Sequence, residues 1–213
     1  MAYIIFNKAI TKELKSGINL DINKNDFVVI KGHNSSFLID LIQKNKKVLK
    51  GKIIVDKNDI TNLSQSEKTK YIRKYLSTIF SHDDLLKNLT IEENLKLAYE
   101  ISNKPNKINK YLKKLKLNKI KNNYPDELPL YKNKIASFAR ALVKNSPIIL
   151  IKTIDDIIKD NKTEFLEILN DIKGTKTVII ETEDKDIISI ADIIINIGKT
   201  KITTKKSGDA SWC

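Results

Sequence analysis

"FVVIKGHNSSFLIDLI", Phe27 to Ile42, joins four apolar residues to a glycine at position 32 and then to a second apolar run. The first run is continuous rather than alternating, which suits a strand covered on both faces. The second has the character of a helix start, and Gly32 supplies the freedom that a tight turn between them needs. Strand, glycine turn and apolar helix are the layout of a phosphate-binding loop. Any α/β domain also contains such a unit, so the rest of the chain decides its meaning.

Outward from this stretch, strand-length apolar runs recur at Tyr3 to Phe6, Ile18 to Ile22, Lys52 to Val55, Leu76 to Phe80, Ile148 to Lys152, Thr177 to Glu181 and Ile193 to Ile197. Helical periodicity covers Phe37 to Gln43, Ser66 to Lys74, Ile91 to Ile101, Lys107 to Leu115, Tyr131 to Lys144, Lys162 to Ile172 and Asp184 to Ile190. Strands alternating with helices predict an α/β layer fold. From about residue 83 to 145 the pattern is almost wholly helical, which predicts a helical subdomain inserted between strands. Thr90 with Glu93 reads as a capping box, and Ser66 as the cap of the helix before it. The final "KKSGDASWC" lacks periodicity and reads as a flexible tail over 206–213, which leaves residues 1–205 as a single domain.

Composition narrows the function classes. The 213 residues suit one domain with an inserted subdomain. No stretch reaches the roughly 18 apolar residues of a membrane helix, and "MAYIIFNKAITKELK" lacks the pattern of a signal peptide, so the expectation is a cytosolic protein. Cys213 is the one cysteine, which excludes a disulfide framework and a cysteine metal cluster within this sequence. His33 and His82 have no carboxylate or thiol set around them to complete a metal site. Asp83 and Asp84 read as solvated charges rather than an acid and base pair. The net charge of +13 invites a nucleic-acid reading, but 37 of the 39 basic residues are Lys and Arg occurs only at 73 and 140. Base and phosphate recognition favours the planar fork of Arg, and Lys is scattered here, so no nucleic-acid partner is expected. The excess charge favours apposition to an anionic membrane surface.

The order of segments resembles the ATP-binding subunit of ABC transporters, in particular the lipoprotein-releasing and macrolide-exporter branch. The likeness runs from about Ile5 to Ile202. "GKIIVDKNDITNLSQSEKTKYIRKYLSTIF" (51–80) is similar to the family's hairpin and the strand after it, and "LLKNLTIEENLKLA" (85–98) to the opening of its helical subdomain. "NNYPDELP" (122–129) and "ASFARALVKNSPIIL" (136–150) are similar to the segments around its signature loop and the strand that follows. The resemblance implies a RecA-like P-loop NTPase core with an antiparallel β portion and the inserted helical subdomain. It also implies ATP sites shared between two subunits.

The positions that carry ATP chemistry in that family hold other residues here. The phosphate loop needs glycines whose N–H groups approach phosphate, a Lys for the β and γ oxygens and a hydroxyl for magnesium. Gly32 is kept, but Ser35 and Phe37 stand at the later glycines, Leu38 at the Lys and Ile39 at the hydroxyl position. Lys152 and Thr153 replace the magnesium-binding Asp and the catalytic Glu, and a Lys repels a divalent cation. Ser81 replaces the glutamine that senses γ-phosphate. The signature loop reads "LPLYK", where Pro129 lacks an N–H and Leu130 and Tyr131 put bulk where glycines are wanted. Glu183 stands at the switch histidine.

The resemblance thus implies a pseudo-ATPase with no ATP or metal cofactor. Its partners would be a transporter's membrane subunit, an active ABC ATPase subunit or both, in a homo- or heterodimer at the inner face of the cell membrane. In the family a groove beside Ser81, Asp83, Leu85, Leu86 and Leu89 receives the coupling helix of the membrane subunit. In this chain these residues are read as core or as interface. The alternative function is a soluble regulatory or immunity protein that captures a transporter subunit or another protein.

Overall fold

The computed structural model describes residues 2–80, 85–102, 106–152, 155 and 161–207. Two sheets, seven α-helices and two short 3-10 helices are present among them. The first sheet is antiparallel, in the order β2-β1-β4-β5, from β1 (Ala2–Ile10), β2 (Ile18–Asn23), β4 (Lys50–Val55) and the two-residue β5 (Asn58–Asp59). The second has six strands in the order β10-β9-β3-β8-β7-β6. Its members are β3 (Phe27–Gly32), β6 (Leu76–Ile79), β7 (Ile148–Ile151), β8 (Thr177–Glu181), β9 (Ile193–Ile197) and β10 (Ile202–Lys206). All its pairings are parallel except β10 on β9.

The continuous apolar runs have a direct physical cause. Successive side chains of a strand point to opposite faces, and both faces of the six-stranded sheet are covered. In β3, Phe27 and Val29 enter one core while Val28 and Ile30 enter the other. β7 divides in the same way, with Ile149 and Ile151 on one side and Ile148 and Leu150 on the other. The second core holds the inner face of the antiparallel sheet, with Ile4, Phe6, Ile53 and Val55, and the five apolar residues of helix α1 (Phe37–Ile42). The first core is closed by α3 (Ile91–Ser102), α4 (Ile108–Lys114), α5 (Leu130–Lys144), α6 (Lys162–Ile172) and α7 (Lys185–Ser189). Phe138 of α5 meets Phe165 of α6 edge to face, with ring centroids 4.9 Å apart.

Helix ends follow local chemistry. α2 (Gln65–Tyr75) is capped by Ser64, whose side chain accepts from the N–H of Glu67 while Glu67 accepts from the Ser64 N–H. The predicted cap Ser66 lies inside the helix, because a capping box needs its Glu three residues after the cap and Glu67 selects Ser64. Before α3, the predicted box is present: the N–H and hydroxyl of Thr90 both donate to Glu93. Residues 206 and 207, read as part of the tail, are bonded to β9 and to the residue before it. Lys205 and Lys206 pair with Ile194 and Ile193 in β10, and the N–H of Ser207 donates to Asp192 O. Residues 208–213 lie outside the described residues.

Candidate functional site

The turn after β3 is set by Gly32, at φ 96°. A Cβ there would lie 2.5 Å from Ile197 O and 2.7 Å from Asn196 Oδ1, so the close approach of β9 requires glycine. The donors of this turn are turned onto the chain itself. Gly32 N–H donates to Glu183 Oε1 at 3.0 Å, His33 N–H to Ile197 O at 2.8 Å and Ser35 Oγ to Glu181 Oε1 at 2.5 Å. Two carboxylates from the carboxyl end of β8 thus sit on the loop, and a like charge such as phosphate is repelled there. The placement of Glu183 is itself fixed: Asp155 accepts from its N–H at 3.0 Å and from Thr182 Oγ1 at 2.5 Å.

Behind the turn, Phe37, Leu38 and Ile39 point into the core and are 2%, 1% and 0% exposed. A helix apolar on nearly every side is a buried helix, and burying each of these side chains stabilises the fold by roughly 1.5–3 kcal/mol. Asp40 is the polar residue of α1. Its Oδ1 lies 2.6 Å from Nζ of Lys152, one residue beyond β7, and both side chains are mostly buried. The Lys152 ammonium also stands 5.9 Å from the Phe80 ring centroid. The opposed ends of α1 and β7 are therefore joined by an ion pair.

At the start of α5, Pro129 is the cap residue, Leu130 is largely exposed and Tyr131 is half-buried with Lys132 Nζ 5.0 Å from its ring centroid. Lys132 also faces Glu164 at 3.5 Å. Lys134 on the same helix is buried and donates to Phe80 O at 2.7 Å. This bond ties α5 to the residue that follows β6.

Of the residues read as core or interface, Leu85 is buried in the first core, Leu86 is exposed and Leu89 is half-buried. Ser81, Asp83 and Thr153 lie outside the described residues. The buried Asn94 organises the segment before α3: its side-chain amide donates to Leu86 O, Leu89 O and Thr90 O, and its Oδ1 accepts from Leu86 N–H. Leu86 borders an apolar groove of about 410 Å³ between the core and the helical subdomain, with Phe80, Leu97, Ile101 and Ala141 also on its walls. Phe80, Leu97 and Ile101 are exposed large apolar residues that the sequence reading missed. Leu97 and Ile101 are four apart on α3, off the stripe of Ile91, Leu95 and Ala98, and this second stripe was the available signal.

The fold and this loop arrangement define a P-loop-type α/β domain with an antiparallel sheet and a helical insertion. The chain belongs to the ABC transporter family, whose model matches residues 15–152. It is 28% identical to the Mycoplasma genitalium protein MG065, named as an ABC transporter ATP-binding protein, over 93% of this chain and 44% of that one. The chain spans about half the length of the first curated relatives it matches. It is also 28% identical to the bacitracin export ATP-binding protein BceA of Halalkalibacterium halodurans, over 94% of this chain and 84% of that one. Among solved structures, the ADP- and Pi-bound dimer of the ATP-binding cassette MJ0796 superposes with a TM-score of 0.83 at 24% identity, over 95% of this chain and 98% of that one.

Proposed function

We propose that this chain is a catalytically inactive ABC ATP-binding-subunit homologue that neither binds nor hydrolyses ATP. The observation that carries this reading is the internal occupation of the phosphate loop, with the Glu183 carboxylate on the Gly32 N–H and Glu181 on Ser35. Phosphate binding relies on N–H donors turned toward the anion and on a cation beside it. Here the Gly32 N–H and the Ser35 hydroxyl face carboxylates, Leu38 and Ile39, at the lysine and hydroxyl positions of the family resemblance, are in the core, and Lys152, at the position of its magnesium-binding carboxylate, is paired with Asp40. A cation fixed at that point opposes a divalent metal. The residues present do not fit magnesium and ATP.

In this reading the chain works as a structural or regulatory subunit at the cytosolic face of an ABC transporter, beside an active ATPase subunit or in place of one. Among the described residues no helix is long and apolar enough to cross a membrane. In this reading a membrane subunit docks in the groove of Phe80, Leu86, Leu97 and Ile101. With an intact partner, that partner's phosphate loop would face Pro129, Leu130 and Tyr131, and neither shared site would be complete. Affinity purification from the native host in detergent tests this role. A membrane permease should co-purify with the wild type and be lost with Leu97→Asp, while recovery of soluble partners alone would support a regulatory or immunity protein instead.

A further inference from the structure

At the opposite end of the six-stranded sheet from Gly32 and Lys152 lies a cavity of about 740 Å³. It sits at the amino ends of the parallel strands. Lys24 and Asn25 precede β3, Tyr75 precedes β6, Asn145 and Pro147 precede β7, and Thr175 and Lys176 precede β8. Its volume falls within the roughly 300–1,000 Å³ of small-ligand sites. Six basic side chains line it: Lys24, Lys70, Arg73, Lys74, Lys144 and Lys176. Among its described lining residues Asp56 is the one carboxylate, and it accepts from Tyr75 Oη at 3.1 Å.

Two features separate this cavity from an ordinary lysine-rich face. First, the cations converge from four segments, namely the β2–β3 turn, α2, the end of α5 and the turn before β8. Complementing the carboxyl end of α2 accounts for Arg73, Lys74 and Lys144, but not for Lys24 and Lys176. Second, several are held in place. Lys144 Nζ donates to Ile72 O and Leu76 O, Lys176 Nζ to Asn145 O and Oδ1, and Lys74 Nζ stands 4.8 Å from the Tyr75 ring centroid. Arg73 is one of two arginines in a chain with 39 basic residues, it is exposed to the cavity, and no acceptor among the described residues pairs with it. A guanidinium matches a phosphoryl group with two parallel N–H bonds, whereas Lys serves as a point charge. Tyr3 adds a hydroxyl to the wall, with its pKa pushed up to about 12 by burial and then by Asp56, so it stays protonated.

We propose that this cavity binds an anion carrying two or more phosphoryl groups, clamped by Arg73 and surrounded by Lys24, Lys70 and Lys74. The anion is either soluble or the headgroup of a membrane lipid, and both present the same chemistry to these side chains. The site is remote from the Gly32 turn, so it stands whether or not the ATPase reading holds.

The test uses the full chain in magnesium-free, phosphate-free buffer with inorganic tripolyphosphate as the probe, followed by calorimetry. Saturable one-to-one binding is expected, weakened about tenfold or more by Arg73→Gln, as fits loss of a charge-assisted bidentate contact. The double control Lys119→Gln with Lys201→Gln removes more charge elsewhere and should leave the affinity within about twofold. Arg73 and both control lysines are exposed, and thermal melts confirm that each variant is folded. Vesicles of phosphatidylcholine with cardiolipin, against phosphatidylcholine alone, identify the source. Arg73-dependent vesicle binding that tripolyphosphate displaces assigns a lipid headgroup, and tripolyphosphate binding without it assigns a soluble anion. Absence of saturable binding to either probe, or equal weakening by Arg73→Gln and the control, overturns the proposal.

Discussion

Lys152 Nζ and Asp40 Oδ1, 112 residues apart in sequence, meet at 2.6 Å and tie the end of β7 to α1. Both side chains are less than a quarter exposed, so the pair is more strongly coupled than a surface ion pair. Lys152→Ala leaves the Asp40 carboxylate without its partner and is expected to cost about 1–3 kcal/mol in urea unfolding. Lys152→Asp should cost more, because it sets two carboxylates against each other, and Asp40→Lys combined with Lys152→Asp should recover part of the loss. A double-mutant cycle with no coupling energy would show that the two charges act independently.

Leu38 stands where the family resemblance asks for the phosphate-binding lysine, yet it is packed between the two sheets. Leu38→Lys buries an ammonium without a partner and should lower stability by several kcal/mol. Leu38→Ala, which only opens a cavity, should cost about 2–5 kcal/mol. Circular dichroism melts of both variants check this order. A Leu38→Lys protein as stable as the wild type would mean that α1 is not the buried helix described above.

Gly32 is retained for the approach of β9. Gly32→Ala forces a Cβ against Ile197 O at a positive φ, and the expected loss is about 1–3 kcal/mol in protein without any ligand. Unchanged denaturant midpoints would point to a ligand-binding reason for this glycine.

Asp184 caps α7 and bonds Lys162, which also reaches Asp186. Burial raises the Asp184 pKa, but the bonds from Lys162 and from the N–H groups of Ile187 and Asp186 outweigh it and leave the pKa below its usual value. Hydrogen bonds to Asp184 and Asp186 raise that of Lys162. A depressed carboxylate stabilises the fold above its unfolded pKa and loses that contribution as pH falls through the folded one. A raised ammonium stabilises below its unfolded pKa and loses the contribution as pH rises through the folded one. The stability difference between wild type and Asp184→Asn should therefore vanish as pH falls below 3.8, and that between wild type and Lys162→Gln as pH rises past 10.5. Urea midpoints across the pH range measure both limbs, and parallel curves would contradict the linkage.

Most of the frame was legible because both faces of the main sheet are covered and its strands are continuous apolar runs. All eight expected strands and seven expected helices are present; β1 runs four residues past the expected Phe6, to Ile10, and the other ends are shifted by at most two residues. β10 was missed because "ITTKK" is an edge strand with four exposed residues, and it is defined by its partner β9 rather than by its own pattern. At the candidate site the sequence supplied which residue stands at each position, but not what it touches. The approach of Glu181 and Glu183 to the loop spans about 150 residues of sequence, and the value of Asp40 depends on Lys152. Phe80, Leu97 and Ile101 escaped notice as groove residues because Phe80 and α3 come from separate elements and converge only in the folded chain.

The central claim is tested most directly by calorimetric titration of ATP into the full chain, with and without magnesium, for the wild type and Arg73→Gln. Comparing the two proteins separates the Gly32 turn from the basic cavity. The account predicts no magnesium-dependent binding in either. Magnesium-dependent binding in the micromolar range that survives Arg73→Gln would contradict it.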